Sequence, residues 1–285
     1  MKSFSDQVSR TLFATLLLAL FALTACQTEE PIEIAEEDQE MAIVEAETEA
    51  TYEEVDAITF EAIDLTDATQ YARSWDNVEN RMITPCVTVT HDSANKVITL
   101  DFGTGCVGPD GKLRAGQIII TYTYRIYLPG ASLSVALQNY SVDGIQVEGT
   151  RTLTNVSPNF QSSISLNTTL VGGQITYLNG DVATRDFSRT TTWVRAANPI
   201  NDEMQIEGMA QGTRRNGISY QTTILSPLVI KRKCRWQGVH MPVEGVKKIQ
   251  RSNRPDLEVD FGTGDCDRII TLTMNNQSIQ IDLDD

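Results

Sequence analysis

The feature that most constrains the fold is an alternation of apolar and polar residues with a period of two, which recurs from Cys86 to the C-terminus. It is strongest over residues 118–128, 133–137, 164–170 and 279–283. Successive side chains of a strand point to opposite faces of the sheet, so these runs place one face in a core and the other in water. Because antiparallel sheets are commonly buried on one side in this way, the pattern predicts an all-β body.

Turn-forming residue pairs separate the runs, and their side chains tolerate the positive φ that tight hairpins require. The pairs are Asp110-Gly111, Pro129-Gly130, Asp143-Gly144, Gly172-Gly173, Asn179-Gly180, Asn216-Gly217 and Asn275-Asn276. Short connections favour a meander of sequential strands, and strands longer than the usual five or six residues tend to curl. We therefore expect an antiparallel meander that forms a curved sheet, a half-barrel or a sandwich, preceded by an acidic linker and a short N-terminal helix.

The N-terminus has the features of an export signal. Lys2 and Arg10 precede an apolar run over residues 12–23, which is too short to span a membrane. The next stretch, Leu23-Thr24-Ala25-Cys26, resembles the lipobox of bacterial lipoproteins. The resemblance implies cleavage before Cys26 and acylation of its thiol and new N-terminus. Residues 1–25 are then a signal peptide; the alternative is an ordinary cleaved signal with an incidental cysteine.

The segment after Cys26 is strongly acidic. Residues 27–56 contain thirteen Asp or Glu and no Lys or Arg, whereas the body from residue 57 is nearly neutral. Such a run repels itself and stays solvated, which predicts a flexible tether over 26–56 and argues against nucleic acid as a partner. Its start, Gln27-Thr28-Glu29-Glu30, resembles the surface-export signal of lipoproteins in some Gram-negative bacteria. The outer membrane is the expected location, with the body facing either the surface or the periplasm.

A short helix is predicted where the tether ends. Thr51 and Glu54 fit a capping box, and residues 55, 58, 62 and 65 are apolar at helical spacing. We expect this helix to pack on a face or an edge of the sheet.

The cysteines and a repeated pentapeptide predict two disulfides. Asp-Phe-Gly-Thr-Gly occurs at 101–105 and again at 260–264, each time just before a cysteine and downstream of another. Exported proteins favour disulfides, so the repeat predicts the pairs Cys86–Cys106 and Cys234–Cys266, each contributing about 3 kcal/mol. A zinc site is the alternative, but the spacing of the cysteines and of the two histidines does not supply a ligand pattern.

These features together resemble a group of uncharacterised, β-rich lipoproteins of Gram-negative bacteria that carry a lipobox, an acidic tether and an Asp-Phe/Tyr-Gly-x-Gly-Cys motif. The second copy departs from that motif, because Asp265 separates Gly264 from Cys266. The resemblance implies a location and a fold class, and it brings no catalytic residue. The domain organisation that we expect is a signal peptide over 1–25, a tether over 26–56 and a β-rich body over 57–285, with 228–285 as a candidate C-terminal subunit.

One strand carries a candidate ligand-binding face, which combines arginines with an aromatic ring. If residues 185–195 form one strand, Arg185, Arg189, Trp193 and Arg195 share a face with Phe187. Arginines beside aromatic rings bind anions or stack on sugars. The alternative is cross-strand packing, with arginine stems covering the rings.

No pattern in the sequence predicts a catalytic residue, a metal site or a cofactor. We therefore expect a non-catalytic binding or structural module that is held at the bilayer by its acyl anchor, with a glycan or an envelope protein as partner. The alternatives are an extracellular hydrolase acting on glycans and a periplasmic carrier of lipids or lipoproteins with an apolar cavity.

Overall fold

The alternating segments form the strands of one curved, open antiparallel sheet. The computed structural model describes residues 34–66, 83–159, 163–239, 241–252 and 254–283. In chain order the strands are β1 (Thr88–Asp92), β2 (Val97–Asp101), β3 (Cys106–Val107), β4 (Leu113–Tyr122), β5 (Ser132–Val142), β6 (Ile145–Asn155), β7 (Ser163–Thr176), β8 (Val182–Val194), β9 (Glu203–Thr213), β10 (Ser219–Lys231), β11 (Glu244–Arg251), β12 (Leu257–Thr263), β13 (Ile269–Met274) and β14 (Gln277–Asp282). The helices are α1 (Glu36–Thr66), a 3₁₀ turn (Pro199–Asn201) and α2 (Arg232–Trp236).

The strands pair in sequence order from β1 to β14, except that the short β3 pairs only with β4, so the predicted meander is confirmed. The hairpin turns contain positive φ angles where they were expected, for example 52° and 81° at Asp143-Gly144 and 49° and 65° at Asn275-Asn276. The prediction of a turn at Gly172-Gly173 is wrong, because this pair lies inside β7. The expected strand over 118–128 also ends early, at Tyr122, because residues 125–131 fold into hydrogen-bonded turns before β5.

Glycines mark the points where long strands bend. Register shifts in the ladders coincide with Gly116 in β4, Gly149 in β6, the Gly172-Gly173 pair in β7 and Gly245 in β11. At Gly116, φ is 82° and an added Cβ would lie 2.1 Å from the carbonyl oxygen of Asn139. A β-bulge bends its strand and increases the local twist, and glycine permits the backbone conformation and the close approach. These bulges therefore contribute to the curvature of the sheet.

Helix α1 lies across the inner face of the sheet, the face to which the buried residues of each strand point. Near its start Asp38 pairs with Arg251 of β11, and near its end the Glu61 carboxylate accepts a hydrogen bond from the backbone of Ile83. Two apolar clusters hold the helix. One packs Tyr52, Val55, Ile58, Ala62 and Ile63 against side chains of β2 to β9, and the other packs Met41 and Ala42 against side chains of β9 to β14.

The position of α1 corrects two expectations. The helix begins at Glu36, so residues 36–56 are helical and packed on the sheet rather than part of an extended, solvated tether. Thr51 is not an N-cap; it lies inside the helix, and its hydroxyl donates to the carbonyl oxygen of Glu47 at 2.9 Å. The reason is that cations on the inner face compensate the acidic charge that was expected to keep this segment in water.

Residues 228–285 do not form a separate subunit, because Ile34–Asp285 is one compact unit and β10 to β14 continue the same sheet. The signal peptide, Cys26 and residues 27–33 of the tether lie outside the described residues.

Both predicted disulfides, Cys86–Cys106 and Cys234–Cys266, are present. The two copies of the repeated pentapeptide share one hydrogen bond and a buried ring. Asp101 and Asp260 each accept a hydrogen bond from the backbone N–H two residues later, at 2.7 and 2.8 Å. The phenylalanine that follows each aspartate is buried in both copies. The first copy begins where β2 ends, whereas β12 continues through the second copy as far as Thr263.

Candidate functional site

The main polar feature of the inner face is a set of buried ion pairs between α1 and the sheet, which we call the ionic belt. It consists of Glu45, Glu49 and Glu53 of α1, Arg185 and Arg189 of β8, and Lys247 of β11. The three glutamates are four residues apart, so they project from one side of the helix. The belt lies along α1 between the residues of the two apolar clusters.

Arg185 is the centre of the belt. Its Nη1 donates to both carboxylate oxygens of Glu45 at 2.7 Å, and its Nη2 donates to Glu49 at 2.7 Å. The other oxygen of Glu49 accepts a short hydrogen bond from Arg189, which also pairs with Glu53 at 3.2 Å. The arginine side chains are 3–4% exposed, so water screens these contacts weakly. Arg185 and Arg189, two residues of the expected ligand-binding face, are therefore bound to the chain's own helix.

Burial and charge act in opposite directions on the pKa of Glu49. Burial alone would raise it, but the positive charges of Arg189, Arg185 and Lys247 bring it well below its ordinary value of 4.5. The pKa of Arg185 is raised because Glu45 and Glu49 outweigh the desolvation of the guanidinium. Glu49 and Arg185 are therefore ionised at neutral pH, and their charges stabilise each other.

Two further buried arginines repeat this arrangement along α1. Arg114 of β4 donates to Glu54 of α1 at 2.5 Å and to Asp110 at 2.6 Å. Arg151 of β6 forms a short ion pair with Asp56, and desolvation raises the pKa of Asp56 to about 6 against the opposing charge of Arg151. Cations from β4, β6, β8 and β11 thus contact successive positions of one helix, which sets its register on the sheet.

The other two residues of the expected ligand-binding face lie at the end of β8. The indole N–H of Trp193 donates to Asp202 at 3.1 Å, and the guanidinium of Arg195 lies 5.2 Å from the centre of the Trp193 ring. Closer to the belt, the guanidinium of Arg189 lies 3.8 Å from the centre of the Phe187 ring. These guanidinium groups thus pack on aromatic rings of the protein itself, which favours the packing alternative over a ligand-binding face.

Sequence reasoning missed the carboxylates of α1 as partners of the arginines, and it missed Arg114, Arg151 and Lys247 altogether. The period-two alternation could have identified the strand residues Arg151 and Lys247. Arg151 is in phase with Val147 and Leu153, and Lys247 is in phase with Ile249, so the alternation that predicts the inner face also places these cations on it.

A cleft of about 370 Å³ lies where β10 bulges away from its neighbours. Two carboxylates, Glu244 and Asp260, line this cleft. Both groups already have partners: Glu244 lies 3.8 Å from the ammonium of Lys231, and Asp260 accepts a hydrogen bond from the backbone N–H of Gly262. In the part of the chain that the structure describes, no cluster of three or more His, Cys, Asp or Glu has the arrangement of a metal site.

Comparison with protein-family models, with curated proteins and with solved structures found no match for this chain. Among residues 34–283, where the structure describes them, no helix combines the length and hydropathy that crossing a bilayer requires.

Proposed function

We propose that this chain is an exported, lipid-anchored protein of the outer membrane whose body is a non-catalytic binding or structural module. The anchor is Cys26, on the evidence of the lipobox-like residues that precede it. The observation that carries the second half of the proposal is that α1 fills the inner face of the sheet and neutralises its cations.

This arrangement favours a module over a lipid carrier. A carrier with a curved sheet needs apolar space on the inner face for acyl chains. Here α1 occupies that face with two packed apolar clusters and a belt of ion pairs between them. It also disfavours a hydrolase, because the carboxylates of the belt and of the cleft are each engaged with a cation or a backbone donor.

The start of α1 limits how far Glu36 can lie from the proposed anchor at Cys26. Only about ten residues, 26–35, connect the anchor with Glu36, and they reach roughly 35 Å at full extension. A tether over the whole of 26–56 would have reached roughly 100 Å.

Metabolic labelling with palmitate, followed by native mass spectrometry of the extracted chain, tests the proposal. We expect label on the wild-type chain, none on Cys26→Ser, and no lipid beyond the covalent anchor. Label that persists in Cys26→Ser contradicts the anchor, whereas a non-covalently retained lipid contradicts the module and supports the carrier. Protease treatment of intact cells separates the two orientations, since only a surface-facing body is digested.

A further inference from the structure

Exposed apolar side chains lie in a row at one end of the sheet. This end carries the connections β3–β4, β5–β6, β7–β8, β9–β10 and β11–β12. Leu178, in the β7–β8 connection, is 78% exposed, the highest value among the large apolar side chains that the structure describes. Val107, Leu113 and Val182, at the same end, are 39–56% exposed. We call these four residues the apolar rim.

Contacts between neighbouring connections make the rim continuous. Val107 and Leu113 lie directly opposite each other on β3 and β4. The backbone N–H of Asp143, at the tip of the β5–β6 hairpin, donates to the carbonyl oxygen of Leu113 at 2.7 Å. On the other side of this tip, Cδ2 of Leu178 lies 2.9 Å from the position that a Cβ on Gly144 would occupy. The rim therefore runs without a break from β3 to the β7–β8 connection.

Helix α1 begins at the same end of the sheet. Asp38, in its first turn, forms short ion pairs with Arg251, the last residue of β11, and with Arg254 of the β11–β12 connection. Three strand spacings, about 14 Å, separate β11 from β8. The ten residues 26–35 reach roughly 35 Å at full extension, so the rim lies within reach of a bilayer that holds Cys26.

We propose that the apolar rim inserts into the interface of the bilayer in which Cys26 is anchored, so that this end of the sheet faces the membrane. The inference rests on the proposed anchor and adds an orientation to it. Apolar side chains of interfacial segments enter a bilayer to a depth of roughly 5–10 Å, at the boundary between headgroups and acyl chains. Single apolar residues on adjacent turns suit insertion to this depth.

The polar residues beside the rim suit a headgroup region. The guanidinium of Arg215 lies 3.8 Å from the centre of the Tyr177 ring, next to Leu178 in the chain. The side chains of Arg215 and Lys112 are 36% and 46% exposed. Tyrosine, arginine and lysine each combine an apolar body or stem with a polar end, which suits the boundary between lipid and water.

The aspartates at these connections are engaged within the chain. Asp110 pairs with Arg114 at 2.6 Å. Asp143 accepts a hydrogen bond from the backbone N–H of Leu113, and Asp181 accepts one from the side chain of Asn179, both at 2.8 Å. These contacts offset part of the cost of bringing carboxylates close to lipid phosphates.

The opposite end of the sheet provides an internal control. It also exposes apolar side chains, for example Val156 at 46% and Trp236 at 52%. Helix α1 does not begin at that end, so a short connection to the anchor favours the rim as the membrane-facing side.

Fluorescence of a label at the rim tests the proposal. Because acylation would consume the thiol of Cys26 and the other four cysteines form disulfides, Leu178→Cys offers one reactive thiol for an environment-sensitive nitrobenzoxadiazole label. The matched control is Val156→Cys. On vesicles of phosphatidylethanolamine and phosphatidylglycerol we expect the label at position 178 to be about threefold brighter than at 156, and to be quenched by lipids with a spin label near the headgroup.

Three outcomes would overturn the proposal. Equal brightness at the two positions would mean that neither end enters the bilayer preferentially. A brighter label at position 156 would mean that the opposite end faces the membrane. A bright label at position 178 that spin-labelled lipid does not quench would mean that a protein, rather than lipid, covers the rim.

A second way of holding the chain on vesicles separates this result from the proposed anchor. A hexahistidine tag in place of residues 1–26 binds a nickel-chelating lipid, and we expect the same difference between the two labels. An intact mass without acyl groups would refute the anchor and leave this measurement valid. Equal brightness of the two labels on nickel-chelating vesicles would refute insertion of the rim and leave the anchor untouched.

Discussion

Replacing Glu49 by Gln tests whether the ionic belt holds α1 on the sheet. The substitution preserves shape but removes the negative charge that faces Arg185 and Arg189. Breaking a buried ion pair by removing one partner typically costs about 3–5 kcal/mol, because the other charge stays buried. Arg185 retains Glu45 and Arg189 retains Glu53, so we expect the lower end, about 3 kcal/mol.

The assay is urea unfolding at neutral pH, followed by far-ultraviolet circular dichroism. The matched control is Glu47→Gln, on the same helix. Glu47 is 61% exposed and lies 3.9 Å from Arg215, so its loss should change the free energy of unfolding by less than about 1 kcal/mol.

The effect of Glu49→Gln should depend on pH. The pKa of Glu49 is lower in the folded than in the unfolded chain. The stabilisation from its ionised form is therefore complete at pH values above its ordinary pKa of 4.5. This contribution decreases as the pH falls below that value toward the folded-state pKa. The difference between wild type and Glu49→Gln should therefore narrow on acidification.

Two outcomes would refute this reasoning. If Glu49→Gln and Glu47→Gln unfold at the same urea concentration, the buried pairs contribute nothing and the apolar clusters alone hold the helix. If the difference between wild type and Glu49→Gln widens below pH 4.5, the sign of the pKa shift is wrong.

Two further predictions concern the disulfides and the bulges. Replacing Cys234 and Cys266 together by Ala opens a bridge with a sequence separation of 32, which should lower the free energy of unfolding by about 3–4 kcal/mol in the chain-entropy model; a calorimetric Tm equal to that of the oxidised wild type would contradict it. Gly116→Ala should destabilise the chain more than Gly111→Ala in chemical unfolding, since both have φ near 80° but only Gly116 has a backbone atom where the Cβ would lie. Equal effects of the two substitutions would mean that the strand relaxes around the new methyl group.

The local rules of strands and turns account for what the sequence predicted correctly. Alternation with a period of two depends only on neighbouring residues, so it located the β-rich body. Hairpins such as Asp143-Gly144 depend on the φ preference of two residues, and the meander follows from the short connections between strands. The repeated pentapeptide indicated the pairing of Cys234 with Cys266 because the two copies imply equivalent units. The prediction of a turn at Gly172-Gly173 was wrong because glycine occurs in bulges inside strands as well as in turns.

The all-β class, the order of the strands and the disulfides could thus be predicted, since each follows from local pattern or from a repeat. The place of the acidic segment could not be predicted, because it depends on contacts between residues far apart in the chain. Read locally, thirteen carboxylates without a cation belong in water, yet Glu45 and Arg185 meet across 140 residues of sequence at 3% exposure each. Patterns of neighbouring residues do not reveal a Coulombic interaction between residues that are far apart in the sequence and meet in a weakly screened interior. These ion pairs, together with the two apolar clusters, hold α1 on the sheet.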